Sequence, residues 1–329
     1  MKKLFFLAFL LLVSFAAFYF RDLWKGRLEL VSPLGRTETK PKTYPLAKYD
    51  FGNLRKRTFE GSQIKLEKVI KKEAGYTSYL FSYKTDGKRV TGLANIPAGS
   101  GPFPVVVMVR GQVDDEVYFT GAGTYKAAGV FAQNGFITLA PDFLGFGSSE
   151  TSSADILEAR FERPIAILEL LSSIKTLKEA DPLKIAMWGH SNGGQIALSV
   201  LEITQKPIPS TLWAPVTKGF PESVLTYIGE MNDQGLIVKT AIDNFLKDYD
   251  PKKYSIDNYF GDITAPIQLH QGTADALVPL TWSDTFILKM ESLGKKVEYH
   301  KYRGNDHNLK QSWDLVVKRD LEFFRKNLK

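Results

Sequence analysis

The chain contains four histidines and no cysteine. Nucleophilic chemistry therefore falls to a hydroxyl, and a hydroxyl needs a base beside it. Ser191 is the serine best placed for this. It stands in "GHSNG" (residues 189–193), after the apolar run 185–188 and before the helical pattern "GGQIALSVLEI". Small residues on both sides of a serine allow a sharp turn between strand and helix. Such a turn lifts the hydroxyl out of the sheet edge and over a helix N-terminus. The pattern alone is short enough to occur by chance, so the flanking strand and helix are what give it weight.

The base has few candidates. His190 lies inside the turn and cannot fold back onto its neighbour's hydroxyl. His270 sits in the middle of a buried run, where a hydrogen-bonded core histidine is the simpler reading. His300 lies within the strand-like "VEYHKY". His307 follows that strand in the polar loop "GNDHNL". Loops at strand ends are where a base can meet a serine on such a turn, so His307 is the expected base. Its carboxylate partner is expected to be Asp275, in "HQGTADALVP" just past a strand. Asp306 is adjacent to the histidine and poorly placed to reach its ring, and Asp262 lies before its strand, at the opposite edge. Two backbone donors must face the charge that develops on the carbonyl oxygen. One is the N–H of Asn192. The other falls in "VMVRGQVDDE", where Gly111 lets the backbone come close, making Gln112 N–H the expected donor and Val113 the alternative. Asp142 reads as a structural hydrogen bonder. Asp114, Asp115 and Glu116 could meet a cationic group, but a solvated acidic loop explains them as well. The residues together describe acyl transfer, with no metal and no organic cofactor.

The elements around these residues are legible in the hydrophobic pattern. Residues 64–97 alternate with a period of two around Asp86-Gly87, which predicts antiparallel strands. Short apolar runs follow at 104–109, 136–141, 184–189, 210–215, 266–272 and 296–302, as expected for strands covered on both faces. Helical periodicity lies between most of them, at 156–177, 195–203, 282–293 and 313–328. Alternating strands and helices predict a mostly parallel sheet with helices on both faces. Residues 216–263 break the rhythm with two helical patterns, at 222–231 and 235–247. This reads as a helical cap inserted between two strands, with Phe220, Val224, Leu225, Tyr227, Ile228 and Met231 available to line a pocket.

Lys and Arg number 43 against 36 Asp and Glu, a net charge of +7. The positive residues are scattered and not interleaved with aromatics, so nucleic acid is not an expected partner. Absence of cysteine excludes disulfides, thiol catalysis and cysteine-based zinc sites. Lys2 and Lys3 precede an apolar run at 4–20, the layout of a signal peptide or signal anchor. As a helix it would reach about 25 Å, at the lower limit for spanning a bilayer. Membrane anchoring, or export after cleavage, is the expectation, with residues 21–60 as a tether or irregular extension and 61–329 as the catalytic domain.

With these residues in place, the sequence resembles the α/β-hydrolase superfamily, in particular the catalytic domain of the prolyl oligopeptidase family and the dienelactone hydrolase-like esterases. The resemblance runs from about residue 64 to the C-terminus. It rests on "PVVVMVRGQ", "APDFLGFGSS", "IAMWGHSNGGQIAL", "PIQLHQGTADALVP", "ESLGKKVEYHKY", "GNDHNL" and "RDLEFF". It implies nucleophile, acid and base at Ser191, Asp275 and His307, in that chain order. Two departures bear on substrate. Arg110-Gly111-Gln112 stands where relatives often carry His-Gly-Gly, and the length leaves no room for a β-propeller. The resemblance implies a serine peptidase acting on short peptides through an acyl-enzyme, or a carboxylesterase of the dienelactone hydrolase or acetyl esterase type. A non-catalytic, membrane-tethered binding module is the reading from another class.

Overall fold

The computed structural model describes residues 42–231 and 233–329. The chain divides after Tyr44, and Pro45–Lys329 form one compact unit. Its sheet opens with three antiparallel strands, β1 (Lys65–Lys72), β2 (Tyr76–Thr85) and β3 (Lys88–Pro97). Asp86 (φ 48°) and Gly87 (φ 81°) form the two-residue turn between β2 and β3, which locks Thr85 opposite Lys88. The edge strand β1 is largely exposed and carries Lys65, Lys68, Lys71 and Lys72. Charged side chains at this edge discourage further strand pairing.

The buried runs become β4 (Phe103–Val109), β5 (Ile137–Pro141), β6 (Ala180–His190), β7 (Ser210–Trp213), β8 (Ile267–Gly272) and β9 (Val297–Tyr302). Among the described residues, nine strands make one sheet in the order β1-β2-β3-β5-β4-β6-β7-β8-β9. β5, β4, β6, β7, β8 and β9 are parallel, and β3 joins them antiparallel to β5. The chain passes from β4 to β5 on one side and then to β6 on the other. The crevice above such a reversal, at the carboxyl ends of the strands, is where an α/β sheet binds ligands.

Helices cover both faces. One core holds α1 (Phe51–Lys56), α3 (Ile156–Ser173), α4 (Asn192–Thr204) and α7 (Leu280–Ser292). The opposite core holds α2 (Tyr125–Gln133) and α8 (Trp313–Asn327). Between β7 and β8 lie the four-residue α5 (Glu222–Leu225) and the longer α6 (Leu236–Asp248). This is the α/β-hydrolase architecture with a helical insertion.

Three expectations change. The first helix of the insertion stops at Leu225, and a 3-10 turn (Ile228–Glu230) follows. Gly229 interrupts the run there, and Tyr227 is held outward by donating its hydroxyl to Leu277 O at 3.0 Å. Residues 45–56 are no tether. They form a 3-10 turn and α1, and bury Leu46, Tyr49, Phe51 and Leu54. Val224 is buried in the core, whereas Phe220, packed on Phe161 and Phe245, does line a cavity. The signal or anchor segment at 1–20 lies outside the described residues. Among the described residues no helix is long and apolar enough to cross a membrane.

Candidate active site

Ser191 follows β6 and precedes α4, with φ 56° and ψ −123°. Positive φ is costly for a residue with a Cβ, on the order of 1–3 kcal/mol. Three backbone bonds hold it. Ser191 N–H donates to Trp213 O at 2.9 Å, and Ser191 O accepts from Gly194 N at 3.0 Å and Val216 N at 3.1 Å. The turn also needs Gly193, where a Cβ would come within 2.0 Å of Val109 O and 2.5 Å of Arg110 O. Glycine lets α4 start flush against the end of β4. The loop after β4 then runs over the serine, and a Cβ on Gly111 would lie 3.0 Å from Ser191 Cβ. Asn192 N–H, first in α4, is an unpaired helix donor beside the hydroxyl. The N–H groups of Gln112 and Val113 likewise have no backbone acceptor among the described residues.

Arg110 fixes this loop. Its guanidinium lies over Tyr118, Phe143 and Phe146, at 4.7, 5.5 and 4.1 Å from the ring centroids. It donates to Gly111 O and Asp142 O. Asp142 accepts from the hydroxyls of Thr91, Tyr118 and Thr120, the structural role expected of it. Asp114, Asp115 and Glu116 are exposed around a 3-10 turn.

His307 follows β9, three strands from β6, whose end carries the serine turn. Its loop reaches back by crossing the end of β8 at Gly272, where a Cβ would meet Asn305 O at 2.3 Å and Asp306 O at 2.6 Å. His307 Nδ1 is 2.9 Å from Asp275 Oδ2, and the Asp275 side chain is inaccessible to solvent. Asp275 also accepts from Gln271 Nε2 (2.8 Å), Leu277 N–H (2.9 Å) and Val278 N–H (2.9 Å). Burial pushes the Asp275 carboxyl up, but the bonds from His307, Val278 and Leu277 outweigh it and leave the group below the usual range. Asp275 is therefore an anion at neutral pH. Its acceptance fixes the His307 proton on Nδ1 and leaves Nε2 as the basic atom. The Ser191 hydroxyl makes no hydrogen bond to any described residue. Asp275 and His307 are thus bonded to each other, while the serine is not bonded to the histidine in the unliganded structure. Such bonds commonly tighten only around substrate.

The other candidates have structural places. His270 is fully buried, with Nδ1 at 2.8 Å from Tyr302 OH and Nε2 at 2.9 Å from Gln268 Oε1 and 3.1 Å from Asp320 Oδ1. His300 stacks on it at 5.2 Å. Asp306 accepts from the N–H groups of Asn308 and Lys310, and Asp262 pairs with Arg55. His190 has a closer part than the sequence suggests. Its ring lies 4.6 Å from that of His307, and its Nε2 donates to His307 O at 3.1 Å. It ties the serine turn to the histidine loop.

Burial and the neighbouring His307 depress His190 from 6.5 to about 4. The unfolded chain takes up this proton near 6.5, the folded chain only near 4. Acidification across that window favours unfolding, by up to roughly 3 kcal/mol for this group. The Tm is expected to fall between pH 6.5 and 4, and less steeply in His190→Gln. Equal slopes in melting curves recorded across that range would remove His190 from the account.

The prolyl oligopeptidase family profile matches residues 124–329, well over half of the chain. The chain belongs to the prolyl oligopeptidase family. It is a serine hydrolase. Among solved structures it resembles an acetyl xylan esterase from Thermoanaerobacterium sp. JW/SL YS485, with TM-score 0.61 and 15% identity over 87% of this chain and 95% of that one. A second acetyl xylan esterase, from Paenibacillus sp. R4, gives 0.61 and 19%, over 83% and 91%. The Pyrococcus horikoshii acylaminoacyl peptidase gives 0.59 and 20%, over 78% of this chain and 42% of that one. The chain therefore spans about two fifths of that peptidase. At these identities the likeness establishes the α/β-hydrolase fold. No curated protein matches the sequence.

Proposed function

We propose that this member of the prolyl oligopeptidase family cleaves short peptides through an acyl-enzyme on Ser191. The observation that supports this reading is the strained serine turn beside the Asp275–His307 pair, in a chain of that family. His307 Nε2 takes the hydroxyl proton as Ser191 Oγ bonds to the scissile carbonyl carbon. The carbonyl oxygen becomes an anion between the N–H groups of Asn192 and Gln112. The C–N bond then breaks, and the proton on His307 passes to the departing amine. Water attacks the ester on Ser191, gives a proton to His307, and the acid leaves as the serine recovers that proton. Asp275 stays ionised and stabilises the imidazolium.

A second reading, a carboxylesterase, is favoured by one observation. This chain spans 95% of an acetyl xylan esterase but 42% of an acylaminoacyl peptidase. Parallel measurement on N-acyl dipeptide 4-nitroanilides and on 4-nitrophenyl acetate and butyrate separates the two. The peptidase reading expects release from an anilide with the same Ser191 dependence as from the ester. Turnover of the esters alone would transfer the assignment to the esterase, since serine peptidases also cleave activated esters.

A further inference from the structure

A cavity of about 50 Å³ opens beside the serine turn, lined in part by Asn192, Gln195, Phe220, Tyr254, Arg160 and Arg163. The two arginines stand three residues apart on α3 and so project from one side of that helix. Arg163 Nη1 donates to Gln112 Oε1 at 3.4 Å, on the loop proposed to hold the oxyanion. An Nη2 group of Arg160 donates to Gln195 Oε1, one turn into the helix that Asn192 begins. Gln195 is itself fixed by donating to Lys218 O at 2.7 Å. One guanidinium thus meets the side chain of Gln112, an expected oxyanion donor, and the other meets Gln195, one turn along the helix from Asn192.

Neither arginine pairs with a carboxylate among the described residues. The acids of their own helix are engaged elsewhere. Glu158 binds Lys48, Tyr49 and Ser153, Glu162 faces Ser153 N–H and Lys88, and Glu169 binds Gly61 N–H and Arg57. Burial lowers Arg160 to about 10, and burial with the charges of Arg160 and Arg110 does the same to Arg163. Both remain cations at neutral pH. Both side chains are partly buried, and neither forms an ion pair among the described residues that would repay the lost hydration or their mutual repulsion. A planar fork of donors is matched by a planar pair of oxygens, the geometry of a carboxylate. The cavity accommodates a group of that size and little more.

We propose that Arg160 and Arg163 bind a carboxylate carried by the substrate, close to the carbonyl that Ser191 attacks. The proposal rests on the hydrolase reading of the site. The carboxylate has two possible positions, on the acyl part or on the leaving group, and paired esters distinguish them. The 4-nitrophenyl monoester of adipic acid and its methyl ester place the charge, or its neutral counterpart, on the acyl side. 3-Acetoxybenzoate and methyl 3-acetoxybenzoate do so on the leaving side.

In one pair the charged member is expected to have a kcat/KM at least about tenfold above its neutral partner, after subtraction of spontaneous hydrolysis. Arg160→Gln and Arg163→Gln should each reduce that ratio several-fold, and the double variant should abolish it. Since the arginines have no carboxylate partner, the variants are expected to melt at or above the parent temperature. A charged-to-neutral ratio near one in both pairs would overturn the proposal. So would a ratio that survives in the double variant, or a large fall in Tm that marks the arginines as structural. If none of the four esters is turned over and a fluorophosphonate probe fails to label Ser191, the hydrolase reading fails and takes the subsite with it. Turnover of the neutral esters without charge preference defeats the subsite alone.

Discussion

Replacing Ser191 or His307 with alanine is expected to lower kcat/KM by on the order of 10⁴–10⁶, and replacing both should cost scarcely more. The reason lies in what surrounds the hydroxyl. With no hydrogen bond to any described residue, Ser191 has no second base to activate it. The nearest other imidazole is that of His190, and it is a poor substitute. Its Nε2 is committed to His307 O, and its affinity for protons is depressed to about pH 4. A base that weak accepts little charge from an alcohol. Once His307 is gone, the serine therefore contributes almost nothing, and once the serine is gone, the histidine has nothing to deprotonate. Single-turnover rates and fluorophosphonate labelling of the three variants measure this directly. Losses that multiply in the double variant would mean that the two side chains serve separate steps.

The serine turn and the Asp275 and His307 side chains that the structure brings together were legible because each stands in a short, recognisable local pattern. Gly189, Gly193 and Gly272 record close backbone approaches that only glycine allows. The buried strands announce themselves as unbroken apolar runs. What was not legible depends on partners distant in the chain. The helical turn at 51–56 has a proper N-cap, with Asp50 accepting from Asn53 N–H, but six residues are too few for periodicity to register. In α2 the apolar positions Ala127, Ala128, Phe131 and Ala132 do follow helical spacing, yet Gly129 in their midst dilutes the pattern. Arg160 and Arg163 look like ordinary surface charges in "RFER". Their meaning appears only when α3 packs against α4 and the helix's own glutamates turn to other partners. Local pattern shows which residues can do chemistry. The unpaired charges beside them become visible only in three dimensions.

Asp275→Asn is expected to reduce turnover by about 10⁴ while leaving the protein folded. The native carboxylate receives four donors, His307 Nδ1 and Gln271 Nε2 on Oδ2, and the N–H groups of Leu277 and Val278 on Oδ1. An amide can offer an oxygen to only one of these two sets. If its oxygen keeps Leu277 and Val278, its NH₂ faces His307 and Gln271. The imidazole must then accept at Nδ1 and carry its proton on Nε2, where it can no longer take one from Ser191. If its oxygen keeps His307, the NH₂ opposes two backbone N–H groups in a site closed to water. An unmet buried donor costs about 1–3 kcal/mol, so the first arrangement, in which Gln271 Nε2 still has Val278 O as an acceptor at 3.3 Å, is the cheaper one. Loss of the negative charge adds to the penalty by removing the partner of the imidazolium in the transition state. The Tm should therefore fall by a few degrees and the rate by orders of magnitude. Retention of more than a tenth of the parent kcat/KM at pH 7 would show that neither the tautomer of His307 nor the Asp275 charge limits the reaction.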